Sequence, residues 1–512
     1  MTDICLCFEV HQPFRLKRNF FWERMMFTRV KKEKLFDHYF DNEKNREILN
    51  RVARKCYLPT NNILLELIDR HKRDSRRVKF SFSLSGVFIE QCEMFNRDVL
   101  ESFRQLVETG CVELLAQTYY HSLAGLYPEK TEFIEQVKLH RQLMRDLFKY
   151  EPKVFENTEL LYNNVIAKIA ENLGYDGIYT EGIERILGGR SPNHVYKPKG
   201  CDKIKVILRN YRLTDDIGFR FSSPSWEKHP LTAEKYAAWL AATPGDCINI
   251  FPDYETFGEH QWPETGIHEF LRHLPGHILK YEHLEFATPS EIVKKHTPVG
   301  EIDVFELGGT VSWADIERDV SCWLGNPMQW ACYLTIKELE PLVKESMDEN
   351  LLRIWRLLQL SDHLYYIFTA GGGPGEVHSY FSPYSSPYDA YITLSSILAE
   401  FECRVRLNVV PAEKSFIFYR DVDQPIGVTV YSLKGFVERV KTVDIKSLEF
   451  HMHRGDFINW VRDSLHDSLL ADELKQLMQE KLAGEELRRK LSKVIEKRYE
   501  ELSRLQDGLY IV

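Results

Sequence analysis

Along most of the chain, short apolar runs alternate with longer segments whose apolar residues recur every three or four positions. The runs ICLCFEV, VKFSFSL, CVELLA, KVFEN, GIYTEG, IKVILR and CINIFPD read as strands. EFIEQVKLHRQLMRDLF, between two of them, reads as an amphipathic helix. Strand and helix in repeated alternation predict an α/β fold with a parallel sheet and helices outside it. Several strands are apolar on both faces, as a sheet covered on both sides requires. No Gly-rich phosphate fingerprint follows the first strand, so a closed barrel fits better than an open nucleotide-binding sheet. Cys5 and Cys7 fall on one face of ICLCF and read as small buried hydrophobes.

From about Trp313 to Phe368 the pattern turns helical, in NPMQWACYLTIKELEPLVKE and ENLLRIWRLLQLSDHLYYIF, until AGGGPGE (370–376) breaks it. That glycine cluster lacks the Lys-Ser/Thr of a P-loop and reads as a loop. Beyond residue 400, KSFIFY, VTVYSL and SLEFHMH predict three strands, and two helical segments follow, DFINWVRDSLHDSLLADELKQLMQEKL and EELRRKLSKVIEKRYEELSRLQ. The expected organisation is therefore a barrel over 1–300, a helical region over 301–400 and a small C-terminal α+β domain over 401–512. In the last helix Leu487, Leu491, Val494, Ile495, Leu502 and Leu505 form one stripe. It suits docking onto the chain's own body, with a short coiled-coil homodimer as the alternative.

Composition narrows the function classes. With 44% hydrophobic and 28% charged residues the 512-residue chain has the profile of a soluble globular protein. Its net charge of −9 argues against nucleic-acid or anionic-membrane partners. The basic run RHKRDSRR (70–77) reads as a solvated helix end. Ten scattered cysteines without a CxxC pair suggest reduced thiols, and no signal-like or membrane-spanning stretch is evident, so a cytoplasmic location is expected. His451 and His453 share a predicted strand face without a third ligand, which suits surface histidines better than a metal site.

Four polar clusters sit at or just past the C-terminal ends of predicted strands: EVHQP (9–13), AQTYYHS (116–122), FENTELLY (155–162) and FPDYETFGEHQW (251–262). In a barrel of parallel strands those ends converge on one mouth, where active sites form. The chemistry they offer is that of carboxylates. Glu159 and Asp253, facing each other across a pocket, would supply the two groups that glycosidic bond cleavage uses. Glu159 reads equally well as a first-turn residue of a helix beginning at NTELL. Asp253 and Glu255 would share a face if their strand continued, each raising the other's pKa; a salt-bridged rim is the bland alternative. Tyr119, Tyr120, Tyr162, Tyr254, Phe257, Trp262, Trp313 and Tyr365 supply aromatic faces of the kind that pack on sugar rings, though many will be core. Metal chemistry competes, with His11 as first ligand, but Gln12 and Pro13 follow it in place of His-x-Asp, and no HExxH is present.

Together, His11-Gln12-Pro13, GCVELLAQTYYHS, VFENTEL, FPDYETFGEHQW and LQLSDHLYYI resemble, in order, the blocks of glycoside hydrolase family 57. The resemblance spans residues 11 to 366 and is nearest to members called α-amylases. It implies a distorted (β/α)7 barrel, and a helical region that helps complete the cleft. It also implies retaining action on α-1,4-glucans without a cofactor or metal. Glu159 matches the family's nucleophile and Asp253 its general acid/base. His11, Glu113, His121, Glu255 and Asp362 match positions lining the site, and Tyr119 and Trp262 join them as expected substrate contacts. The acceptor stays open between water, giving an α-amylase, and a sugar hydroxyl, giving a 4-α-glucanotransferase, with loop 371–386 a candidate to decide. A binding protein that kept the cleft and lost catalysis is the alternative from another class. Cys111 stands after Gly110 where a polar residue is the expectation.

Overall fold

A computed structural model of the chain describes residues 1–23, 30–346, 348–370, 382–407, 410 and 412–507. Seven parallel strands close into a barrel: β1 (Thr2–Val10), β2 (Phe80–Leu84), β3 (Val112–Leu114), β4 (Val154–Phe155), β5 (Gly177–Glu181), β6 (Lys205–Arg209) and β7 (Cys247–Ile250). Each pairs with its neighbours in chain order and β7 returns to β1. The ring closes between β3 and β4 through Ala116 and Phe155. There the Ala116 amide donates to the Val154 carbonyl (3.0 Å) and the Glu156 amide to the Ala116 carbonyl (2.8 Å). The barrel is distorted at its base, where an eighth short strand, β8 (Leu284–Phe286), pairs with the first residues of β1.

Alternation along β1 explains the layers. Ile4, Leu6, Phe8 and Val10 face outward into a core shared with the surrounding helices, and Cys5 and Cys7 face inward with Leu115, Tyr179, Ile207, Cys247 and Phe251. Glu9 continues the inward stripe by two residues. The same period that buries two thiols therefore delivers a carboxylate to the barrel mouth. Polar residues just past the strands start the next helices: Ser85 accepts from the Phe88 amide, and Asn210 from the Leu213 amide.

The chain divides into two compact units. One comprises residues 1–15, 41–327 and 359–383 and holds the barrel; the other comprises 16–40, 328–358 and 384–512. In the second, a hairpin of Phe416–Tyr419 and Pro425–Val430 confirms two of the three strands read there. SLEFHMH instead lies in a helix, Ile445–Arg454. Its apolar residues Leu448 and Met452 stand four apart, so a helix buries them on one side, with Asp444 as N-cap and Gly455 (φ 75°) ending it. His451, in that helix, bonds Asp456 and accepts from the Tyr419 amide, so it is a buried structural group. The long segment after it breaks into Asp456–Asp463 and Ser468–Gln479, the second capped by Asp467. Leu487, Leu491, Ile495 and Leu502 of the last helix are buried in this unit's own core, which leaves the coiled-coil alternative without its stripe. The segment AGGGPGE lies, from Gly371 on, outside the described residues. No helix among the described residues is long and apolar enough to cross a membrane.

Candidate active site

All four polar clusters, together with the loop around Trp313 and the short helix Ser361–Tyr365, meet at the C-terminal end of the barrel. A cleft of about 840 Å³, counting its open mouth, is lined by Glu159 and Asp253. Arg209, Phe219, His260, Trp313, Asp315, Trp323 and Tyr365 are among the other lining residues.

Glu159 does not begin a helix. NTELL forms a single tight turn (Thr158–Leu160), in which Glu159 (φ 60°) and Leu160 (φ 51°) are left-handed, and the following helix starts at Asn164 under an Asn163 cap. Non-glycine residues held in this region cost about 1–3 kcal/mol each, and such strain concentrates at functional sites. The turn aims the carboxylate into the cleft. There Glu159 Oε2 accepts from Trp313 Nε1 (2.7 Å) and Oε1 accepts from Ser361 Oγ (2.9 Å). His121 Nε2 stands 3.6 Å from the same Oε1.

Asp253 reaches the cleft from the other side of the barrel. β7 stops at Ile250 and residues 254–256 turn, so Asp253 and Glu255 do not share a strand face. Asp253 lines the cleft, while Glu255 is buried behind it and accepts from the Tyr57 hydroxyl. Burial, and then the charge of Glu159, push Asp253 up to about 7, against the opposing pull of Arg209 and His121. Burial and the neighbouring Asp253 push Glu255 up to about 8.

Two histidine rings stack beside Glu159, His11 on His121, with centroids 3.8 Å apart and 19° between planes. Two imidazolium rings would repel at that distance, and the surroundings assign different charges to them. Burial and the charge of His121 lower His11, whose Nε2 donates to Asp362 Oδ2 (2.9 Å) and whose Nδ1 accepts from Ser85 Oγ (2.7 Å). Burial would lower His121 as well, but Glu159 and Glu9 more than offset it and hold it at about 9. Its Nδ1 donates to Gln117 Oε1 (3.2 Å) and lies 3.5 Å from Glu9. For Asp362, burial is outweighed by His11 and His121, which bring it down to about 2. Below this layer Gln117 Nε2 donates to Glu9 and to Ser83 Oγ, whose hydroxyl donates to Glu156.

The structure thus brings together Glu159, Asp253, His11, His121 and Asp362, with Glu255 one layer back. Glu113 lies elsewhere. It points inward from β3, and its carboxylate accepts from the amide and hydroxyl of Ser290 at the start of the helix Pro289–Lys295, which follows the base strand β8. The alternation in VEL that turns Glu113 inward does not decide how high in the barrel it stands. Tyr119 bonds Glu90, and Trp262 is 51% exposed under Lys55 Nζ; neither lines the cleft. Arg209, Trp323, Phe219 and Ser361 escaped the sequence reading. Arg209 ends a strand, as the other clusters do, and that signal could have found it. Among the described residues no group of three or more His, Cys, Asp or Glu could hold a metal ion.

Comparison with known proteins agrees with this architecture. A protein of Methanocaldococcus jannaschii, provisionally named an alpha-amylase, is 49% identical over 414 residues, 79% of this chain and 85% of that one. The alpha-amylase of Pyrococcus horikoshii is 24% identical over 264 residues, where this chain spans only 38% of its length. Among solved structures, a branching enzyme of family GH57 from Thermococcus kodakaraensis superposes with a TM-score of 0.54 at 14% identity, covering 79% of this chain and 90% of that one. The 4-alpha-glucanotransferase of Thermococcus litoralis gives 0.50 at 18%, covering 81% and 61%. Residues 413–508 match a family of unknown function, DUF5752. Residues 5–305, which hold the barrel strands from Cys5 of β1 onward, match the model of glycosyl hydrolase family 57, and the chain belongs to that family.

Proposed function

We propose that the cleft cleaves α-1,4-glucans with retention of configuration, by double displacement through a glycosyl-enzyme. Glu159 attacks the anomeric carbon as the glycosidic C–O bond breaks, and the departing oxygen takes the proton of Asp253. Asp253, now a carboxylate, accepts a proton from water as its oxygen attacks the same carbon and frees Glu159. The observation that carries this reading is the division of the two carboxyls. Asp253 is pushed up to about 7 and can arrive protonated. Glu159 is oriented by Trp313 and Ser361 and faces a protonated His121. Two carboxyl groups whose surroundings separate their roles are what acid-nucleophile pairs require. His11, His121, Glu255 and Asp362 hold the pair and the sugar hydroxyls. The names of the alpha-amylase and glucanotransferase relatives supply the substrate class.

Glu159→Gln should lower kcat on maltoheptaose by about three orders of magnitude or more while glucan binding and Tm stay near wild type. Substantial remaining turnover would reject the assignment. The product profile separates the acceptors: shorter sugars alone mean hydrolysis, and a ladder extending above maltoheptaose means 4-α-glucan transfer. Failure of the wild-type protein to turn over any α-glucan would favour a glucan-binding role instead.

A further inference from the structure

The loop that carries Trp313 is held from beneath by charged groups that the reaction scheme does not use. Arg318 Nη1 donates to Glu181 Oε2 (3.0 Å) and to the carbonyl of Trp313, and its Nη2 donates to Asp215 Oδ2 (2.7 Å). The same two carboxylates take Arg209, whose Nη1 donates to Glu181 Oε2 (2.7 Å) and Nη2 to Asp215 Oδ1 (2.8 Å). The four side chains close a ring of two cations and two anions, and the most exposed of the four residues is 8% accessible. Arg209 lines the cleft and donates its Nε to the carbonyl of Phe251 (2.8 Å), two residues before Asp253.

Stability alone is a poor account of such a ring. Buried ion pairs must offset the desolvation of every member, and well-packed apolar residues commonly serve a core as well or better. Backbone geometry adds a second observation. Asp315 (φ 55°) and Arg318 (φ 53°) are both left-handed, a state that persists only where the surroundings over-determine it. The Ser312 amide, donating to the Arg318 carbonyl (3.1 Å), ties the two ends of the loop together.

We propose that Arg318 is a positioning residue. It joins the Trp313 loop to the ring of Glu181, Asp215 and Arg209, and so fixes the indole that donates to Glu159. Through Arg209's hold on Phe251, the same ring anchors the segment that carries Asp253, so both carboxyls are referred to one rigid frame. The inference rests on the reading of Glu159 and Asp253 given above.

A double-mutant cycle tests it, with kcat and KM on maltoheptaose for Arg318→Met, Trp313→Phe and the combined variant, each measured well below its own Tm. If Arg318 acts through Trp313, each single change lowers kcat by about tenfold or more with KM within about threefold, and the double variant is no worse than the poorer single one. Losses that multiply, or an Arg318→Met enzyme with wild-type kcat, overturn the proposal. A crystal structure of Arg318→Met in which the indole still bonds Glu159 overturns it too, independently of activity. Should that variant fail to fold, Asp215→Asn leaves Arg318 paired with Glu181 and must show the same non-additivity with Trp313→Phe. Glu159→Gln runs beside the cycle. If the Glu159→Gln enzyme still turns over, the functional reading fails, whereas an inactive one beside a multiplicative cycle sinks this inference alone.

Discussion

Asp253 and His121 show how single residues are tuned by what surrounds them. Asp253 has its carboxyl pushed up to about 7, so the protonated form needed for glycosidic cleavage is depleted as pH rises through that value. The alkaline limb of kcat/KM should therefore fall near pH 7, and His121, held at about 9, should not add a second limb until well above it. A profile flat to pH 9 would contradict Asp253 as the donor. The same shift has a stability consequence whose sign follows from linkage. The folded carboxyl titrates above its ordinary value of 3.8, so its contribution is fully present below that pH and is lost as pH rises towards 7. At pH 8 the folded wild type carries this cost, on the order of a few kcal/mol, and Asp253→Asn does not. Asp253→Asn should thus melt higher than wild type at pH 8, with the gap closing as pH falls to 4. A gap independent of pH would show that burial does not hold the proton on Asp253.

At the scale of elements, the segment FPDYETFGEH depends on a strand that stops and a turn that takes over. Gly258 adopts φ 135° and passes so close to the Ala53–Tyr57 turn that an added Cβ would lie 2.0 Å from the Lys55 carbonyl. No L side chain fits there without moving backbone. Gly258→Ala should lower Tm, by about 1–3 kcal/mol of stability or more, and reduce activity by displacing the turn that follows Asp253. Gly276→Ala, in open space on the helix Ile267–Ile278, should leave Tm unchanged or raise it. Equal losses for both would mean that close approach to Lys55 is not what selects glycine. The turn also explains why spacing alone misplaces Glu255. Two residues apart implies one face only while a strand lasts, and here it ends three residues before Asp253.

For the molecule as a whole, ten cysteines are spread through both units, and every one is free and buried. Burial pushes most of these thiols up, so they behave as small hydrophobes rather than as nucleophiles. Native protein should react slowly with a chromogenic disulfide reagent and release ten equivalents only on unfolding, with the same Tm in the presence and absence of reductant. Fast titration of several thiols in the native state would contradict the packing.

The barrel was legible in the sequence because several of its strands are apolar on both faces and alternate with amphipathic helices, the pattern of a covered parallel sheet. Glu159, Asp253, His11, His121 and Asp362 were legible because each lies in a polar cluster at a strand end or in a matching family block. Other features depended on distances between segments far apart in the chain. The height of Glu113 inside the barrel and the turning of Glu255 away from Asp253 are of this kind. So are the stacking of His11 on His121 and the ring that joins Arg318 to Arg209. Local pattern dictates which face a side chain takes, because backbone periodicity is a property of neighbouring residues. What that side chain meets, and which carboxyl keeps its proton, is set by burial and charge across the closed barrel, and those exist only once the chain has folded.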